Sequence, residues 1–224
     1  TVSKVHLLHA TDGSQTGARY HLVTNLDSCE WGLSITVRSP LQVRNETSYA
    51  MGIYYKKPVL EALGLEHIGE SMNPFEDTNR IAIVEPDETY NVPLQVAYHC
   101  KLYILPAYVD SYHVSECGLW WQDLAADLNT AKDICCIPKE EKDQTVFSVR
   151  ALCEDGVATS RASRSIPNYL IRLLPPLAVH NRLPYAVEIK IPSIKYDVRI
   201  EAGEKANIYF LNLLKMHKIV VEVP

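Results

Sequence analysis

Two stretches of this chain repeat one pattern without a gap. Residues 32–49 read GLSITVRSPLQVRNETSY and residues 168–185 read NYLIRLLPPLAVHNRLPY. Pro40 falls on Pro176, Leu41 on Leu177, Val43 on Val179, Asn45 on Asn181 and Tyr49 on Tyr185, a constant offset of 136. A second motif follows each copy: VEPDETYNVPL from Val84 and IEAGEKANIYF from Ile200, at an offset of 116. The first copy therefore carries 20 more residues between its motifs, and the loop-like stretch 56–79 is the place for them. Length differences confined to a surface connection are what a true repeat shows, because loops absorb insertions that packed strands do not.

These alignments predict the organisation of the chain. Residues 1–29 are expected to be the C-terminal part of a preceding β repeat, because KVHLLHATDGS before the first motif echoes TVFSVRALCEDG before the second. Residues 30–165 are expected to form one repeat, and residues 166–224 the next, truncated one. Each unit would be a small β-sandwich, or half of one, stacked on its neighbour. Both ends fall in strand-like runs, as expected for a cut within a longer protein.

Within the units, strand signals dominate, and the expected fold class is all-β: tandem β-sandwich-like repeats with short helical insertions. Runs rich in β-branched and aromatic residues recur at 5–8, 20–23, 49–55, 81–84, 92–98, 102–105, 146–152, 169–174, 187–191 and 207–210. A turn is expected at Asp12-Gly13-Ser14. The run 35–43 alternates Ile35, Val37, Leu41 and Val43 but holds Pro40, which predicts an edge position or a bulge. Helical spacing appears at 58–69, limited by Gly64, and at 120–128.

Composition narrows the function. The net charge of −5 leaves no excess of Lys and Arg to displace counterions from a phosphate backbone, so nucleic acid is not an expected partner. No apolar run approaches the roughly 20 residues that span a bilayer. The six Cys at 29, 100, 117, 135, 136 and 153 show no CxxC pairing, and are expected to be small buried thiols of a reducing cytoplasm. One triplet points the other way: Asn45-Glu46-Thr47 is an N-glycosylation sequon.

Catalytic signatures are missing: there is no GxSxG, HExxH, P-loop or GxGxxG, so the chain is not expected to be an enzyme. The paired carboxylates Glu85/Glu88 and Glu201/Glu204 sit in turn-like segments with nothing converging on them. His99-Cys100 and His113…Cys117 lack paired zinc-ligand spacing, and neither a metal nor a cofactor is expected. The repeated Asn is the residue to explain. Leu and Val alternate ahead of it, so its side chain falls in the same inward phase at a strand end. Asn there ties down a turn, because its amide bonds backbone groups two residues on. Asn45 and Asn181 are thus expected to be structural turn residues, and the alternative reading is that each also shapes a peptide-binding surface.

The runs SPLQVRNETSYAMGIYYKK and VEPDETYNVPLQVAYHCKLYILP, with IRLLPPLAVHNRLPYAVEIKI and IEAGEKANIYFLNL, resemble repeats of the chorein family, also called vacuolar protein sorting-associated protein 13. The resemblance runs from about Trp31 to the end, and the Tyr-Tyr-Lys-Lys run is closer to the animal A/C-type paralogues. It implies the adaptor-binding β-repeat region of a bridge-like lipid-transfer protein. Such a region recognises short Pro-x-Pro-type motifs of organelle receptors and directs the protein from the cytoplasm to organelle membranes and contact sites, while other parts handle lipid. It also implies that Asn45 and Asn181 are the repeat Asn associated with adaptor binding. Two other readings stand beside it: a purely structural spacer, and an extracellular Ig-like or carbohydrate-binding sandwich suggested by the sequon and the tyrosines.

Overall fold

A computed structural model describes residues 2–9, 19–29, 32–71, 77–128, 130–140, 145–155, 168–212 and 215–223. The expected turn at 12–14 lies outside them. The chain opens with β1 (Val2–His9), β2 (Arg19–Cys29) and β3 (Gly32–Arg38), an antiparallel sheet in that order. It continues through β4 (Leu41–Asn45), β5 (Met51–Lys56), α1 (Lys57–Glu61), β6 (Glu70–Ser71), β7 (Thr78–Val84), β8 (Thr89–Asn91), α2 (Leu94–His99) and β9 (Tyr103–Pro106). Next come α3 (Trp121–Ala126), β10 (Lys132–Cys136), β11 (Phe147–Asp155) and β12 (Tyr169–Leu174). The last stretch holds β13 (Leu177–His180), β14 (Val187–Ile191), β15 (Tyr196–Ile200), β16 (Lys205–Ile208) and β17 (Val220–Glu222). All-β is the fold class, with helices only of one or two turns among the described residues.

Two sheets enclose the main core. One has the order β10-β11-β12-β4-β8, the other β6-β7-β5-β9. Alternation decides which residues meet: in β4, Leu41, Val43 and Asn45 are buried while Gln42 and Arg44 face outward. They join Ile53, Tyr55, Ile104, Phe147, Ile171 and Leu173, all buried between the sheets. Burying one such aliphatic or aromatic side chain contributes about 1.5–3 kcal/mol, so this face fixes the register of each strand.

One pairing crosses the sequence repeat. β12 runs parallel to β4, with Tyr169 opposite Leu41, Ile171 opposite Val43 and Leu173 opposite Asn45. The first strand of the second sequence copy thus lies in the sheet of the first. The break at Pro40 is neither bulge nor edge: it separates β3 from β4, which belong to different sheets. By position, β2 lies beside β3 as β11 lies beside β12.

The second copy reproduces the first strand by strand. β13 pairs antiparallel with β16 as β4 does with β8. β14 lies between β15 and β17 as β5 lies between β7 and β9. Its own smaller core holds Val187, Ile189, Ile191, Ile200, Ile208 and Leu211.

The helices at 57–61 and 121–126 fall inside the expected segments. Residues 92–98, expected as strand, are instead α2. Pro93 caps its start, Val96 and Ala97 turn inward together, and Trp121 Nε1 donates to the carbonyl of Ala97 at 2.6 Å. An adjacent buried pair suits a helix face, whereas a strand would send its members to opposite sides.

Candidate functional site

The repeated Asn is buried and hydrogen-bonded through both ends of its amide in each copy. Asn45 is 0% exposed and Asn181 4%. Asn45 Nδ2 donates to the carbonyls of Tyr49 (2.7 Å) and Val84 (2.8 Å). Its Oδ1 accepts from the Thr47 amide at 3.0 Å and the Thr47 hydroxyl at 2.7 Å. Asn181 Nδ2 donates to Tyr185 (2.7 Å), Ile200 (3.0 Å) and Glu201 (3.0 Å), and Oδ1 accepts from the Leu183 amide at 3.0 Å. One side chain thus closes the turn after its own strand and clamps the end of a strand 39 (Val84) or 19 (Ile200) residues away.

The backbone of the same Asn completes the clamp. The Asn45 amide donates to the Glu88 carbonyl at 2.9 Å, and its carbonyl accepts from the Asp87 amide at 2.6 Å. In the second copy the Asn181 amide donates to Glu204 at 2.9 Å, and its carbonyl accepts from Gly203 at 3.0 Å. The acidic motif is therefore the counterpart of the Asn turn. It needs a left-handed residue at its third position, met by Asp87 (φ 64°) in one copy and Gly203 (φ 80°) in the other. The carboxylates of this motif play no shared chemical part: Glu88 Oε2 accepts the Glu85 amide at 3.3 Å, a local turn bond. Paired peptide bonds, not paired acids, explain the motif.

The turn leads straight into β8 or β16. β8 is the last strand of its five-stranded sheet, and β13 and β16 make a two-stranded one. Each of β8 and β16 is hydrogen-bonded along one edge by a named strand and has no strand along the other among the described residues. Tyr90 on β8 is half-buried, its hydroxyl donating to the Ile81 carbonyl at 3.2 Å. Burial raises the pKa of that phenol, keeping it neutral.

Beside Asn45, Glu46 faces outward and takes a bidentate pair from Arg172 of β12, with Nε to Oε1 at 2.7 Å and Nη2 to Oε2 at 2.5 Å. Arg172 Nη1 also reaches Glu154 Oε1 at 2.5 Å. The Arg172 hydrogen bond holds the Glu46 carboxyl below its usual range against the opposing effect of burial, and the paired carboxylates raise the Arg172 pKa. Sequence reasoning missed this triad. The signal was a lone Arg inside the apolar run NYLIRLL, but its partner could not be read without the β12–β4 pairing.

The sequon is closed to chemistry in this structure, because both amide protons of Asn45 are committed to buried backbone carbonyls. A glycan there would replace one of those protons and remove one of the two bonds. Cys100, Cys136 and Cys153 are buried and Cys117 exposed. Burial pushes the Cys100 thiol up to about 11 and the Cys136 thiol to about 12. No group of three or more potential metal ligands occurs among the described residues, and no helix among them is long and apolar enough to cross a membrane.

The Asn turn and the strand it clamps recur in both copies, so the chain is an all-β module built from a repeated unit. Residues 5–224 match the family described as vacuolar-sorting associated protein 13, adaptor binding domain, and the chain belongs to that family. It is 27% identical over 195 residues to mouse intermembrane lipid transfer protein VPS13C, covering 84% of this chain and 5% of that protein. It is 26% identical over 201 residues to the human VPS13C protein, with the same coverage of 84% and 5%. It is 30% identical over 157 residues to intermembrane lipid transfer protein VPS13 of Chaetomium thermophilum, covering 70% of this chain and 4% of that protein. The chain spans about 5% of the length of these relatives.

Proposed function

We propose that this chain is an adaptor-docking segment of a bridge-like lipid-transfer protein, and that it takes short Pro-x-Pro-type motifs of organelle receptors as an added strand on the free edge of β8 or β16. The observation that carries the site is the position of those edges: in both copies each begins at the turn clamped by the repeat Asn, with one side unpaired by any named strand. Backbone groups on such an edge pair with an extended peptide, and a Pro-containing ligand is already extended, so it loses less entropy on docking. Asn45 and Asn181 serve the site indirectly, since their side chains are spent on their own repeat. Adaptor capture would bring the protein from the cytoplasm to organelle membranes and contact sites, with lipid handled by other parts of the full-length chain.

The test is calorimetric titration of a Pro-x-Pro peptide into the 224-residue chain and into a longer chain carrying neighbouring repeats. Saturable binding, weakened by Thr89→Pro in β8 or Lys205→Pro in β16 with thermal stability unchanged, is expected. Absence of binding to both chains would remove the proposal. The spacer reading predicts that outcome, so the same titration decides between them.

A further inference from the structure

The first copy holds a cavity of about 240 Å³ that the Asn clamp does not use, lined by Lys56, Val59, His99, Lys101, Tyr103 and Trp120. Lys56 ends β5 and Val59 stands on α1, at the start of the stretch where the first copy carries its extra residues. Leu60 turns into the core, which leaves its neighbour Val59 37% exposed. Further on, Leu102 and Ile104 are buried in the core, so the alternating Lys101 and Tyr103 are left to line the cavity. Leu102 exchanges both backbone bonds with Leu119, at 2.9 and 2.6 Å, which brings residue 118 against residues 101 and 103. Gly118 is the residue that fits there: an added Cβ would lie 2.7 Å from Lys101 Cβ and 2.8 Å from Tyr103 Cζ.

The lining divides by chemistry. Tyr103 is buried and Trp120 half-buried, and with Val59 they form apolar walls. Lys56 and Lys101 are exposed, and Lys56 Nζ sits 5.2 Å from the centre of the Tyr103 ring. Neither ammonium makes an ion pair with a described residue, and no carboxylate lines the cavity, although the chain carries a net charge of −5. His99 Nε2 is bonded to the Tyr20 hydroxyl at 3.1 Å, and burial lowers its pKa, so at pH 7 the cations here are the two lysines. We propose that this cavity seats one apolar side chain of an acidic peptide, whose flanking carboxylates pair with Lys56 and Lys101. Size and charge argue for it together. Pockets that hold whole cofactors or drug-sized molecules run from about 300 to 1,000 Å³, and this one suits a single large side chain. A bare phosphate or lipid headgroup would leave the apolar walls unfilled. A ring against Tyr103 and Trp120, beside carboxylates on the lysines, satisfies both halves. None of these residues belongs to β8 or β16, and the ligand is acidic rather than Pro-based, so this site and the strand-edge reading stand independently.

Nuclear magnetic resonance titration of the isotope-labelled 224-residue chain with the peptide EEFEE tests this, beside EEGEE, KKFKK and phosphatidylserine vesicles. The expected result is a set of saturating shifts for EEFEE, centred on the Trp120 indole and the amides of residues 99–103 and 118–120, which shrink at high salt. EEGEE, which lacks the ring, and KKFKK, which reverses the charge, should leave those signals in place. Lys56→Gln/Lys101→Gln, altered only at exposed positions, should weaken EEFEE roughly fivefold or more with an unchanged melt. Val59→Phe keeps both cations but fills the cavity, and should abolish the shifts. Four outcomes would overturn the inference: no saturating shifts at these residues, EEGEE binding as well as EEFEE, an unchanged affinity in the double Gln variant, or vesicles binding through the two lysines while EEFEE does not.

Discussion

Replacing Asn45 by Ala removes four hydrogen bonds at once and strands the Thr47 amide in a buried site, while the Val84 carbonyl is left with its ladder position opposite Met51. The Tyr49 carbonyl keeps one partner, the Thr47 hydroxyl at 2.9 Å. One unsatisfied buried backbone amide costs about 2 kcal/mol and each of the two lost Nδ2 bonds about 1 kcal/mol, a loss of about 4 kcal/mol. For a chain of this size 1 kcal/mol moves Tm by about 2–4 °C, so the expected fall is roughly 12 °C. Asn181→Ala removes a similar set of bonds, but Leu183 and Tyr185 beside it are exposed, and water can reach the groups it leaves. Its expected cost is about 2 kcal/mol. Circular dichroism melts give the total, and hydrogen exchange assigns it: lost protection should centre on β4, β7 and β8 for Asn45, and on β13, β15 and β16 for Asn181. Asn45→Asp should be no better than Ala despite its matching shape, since two carbonyl oxygens would then face a carboxylate. A fall below about 3 °C for Asn45→Ala, or an Asp variant as stable as wild type, would refute the clamp.

The Glu46–Arg172 pair gives a pH test. Because the folded pKa of Glu46 is lowered, its contribution is present above the unfolded value and is lost as pH falls through the folded one. Glu46→Gln should therefore cost about 1 kcal/mol at pH 7, discounted for partial exposure, and nothing near pH 2, as read from urea melts at the two pH values. Asp87→Gly should raise stability by about 0.5–1 kcal/mol, since the left-handed backbone at φ 64° suits Gly better, while Gly203→Val should cost at least as much; thermal melts decide both. Gly69→Ala should cost more than 2 kcal/mol, because an added Cβ would lie 2.1 Å from the Arg80 carbonyl oxygen. Iodoacetamide at pH 8 should label Cys117 well before Cys100 and Cys136, whose thiols are raised to about 11 and 12; peptide mapping would show the order.

Much of the site was legible before any coordinates. The phase Leu-x-Val-x-Asn put Asn45 and Asn181 on the inward face, and both are buried there. The downstream motif at offset 116 is the segment each Asn clamps. What hid was anything decided by a distant partner. The run 92–98 carries strand-type residues, but Pro93 and the docking of Trp121 on Ala97 made it a helix. The lone Arg172 was visible, whereas Glu46 and Glu154 as its partners were not.

Sequence by itself determined the all-β class, the repeat, the inward Asn and the turn that needs a left-handed residue, because these depend on side-chain alternation and on φ, which act over a few residues. Tertiary structure decided that β12 pairs with β4 rather than closing its own unit, and so which apolar faces are covered and which stay open. Strand pairing across some 128 residues is selected by the apolar area it buries (Tyr169 opposite Leu41). The same Ile-x-apolar pattern is consequently core in one copy and surface in the other.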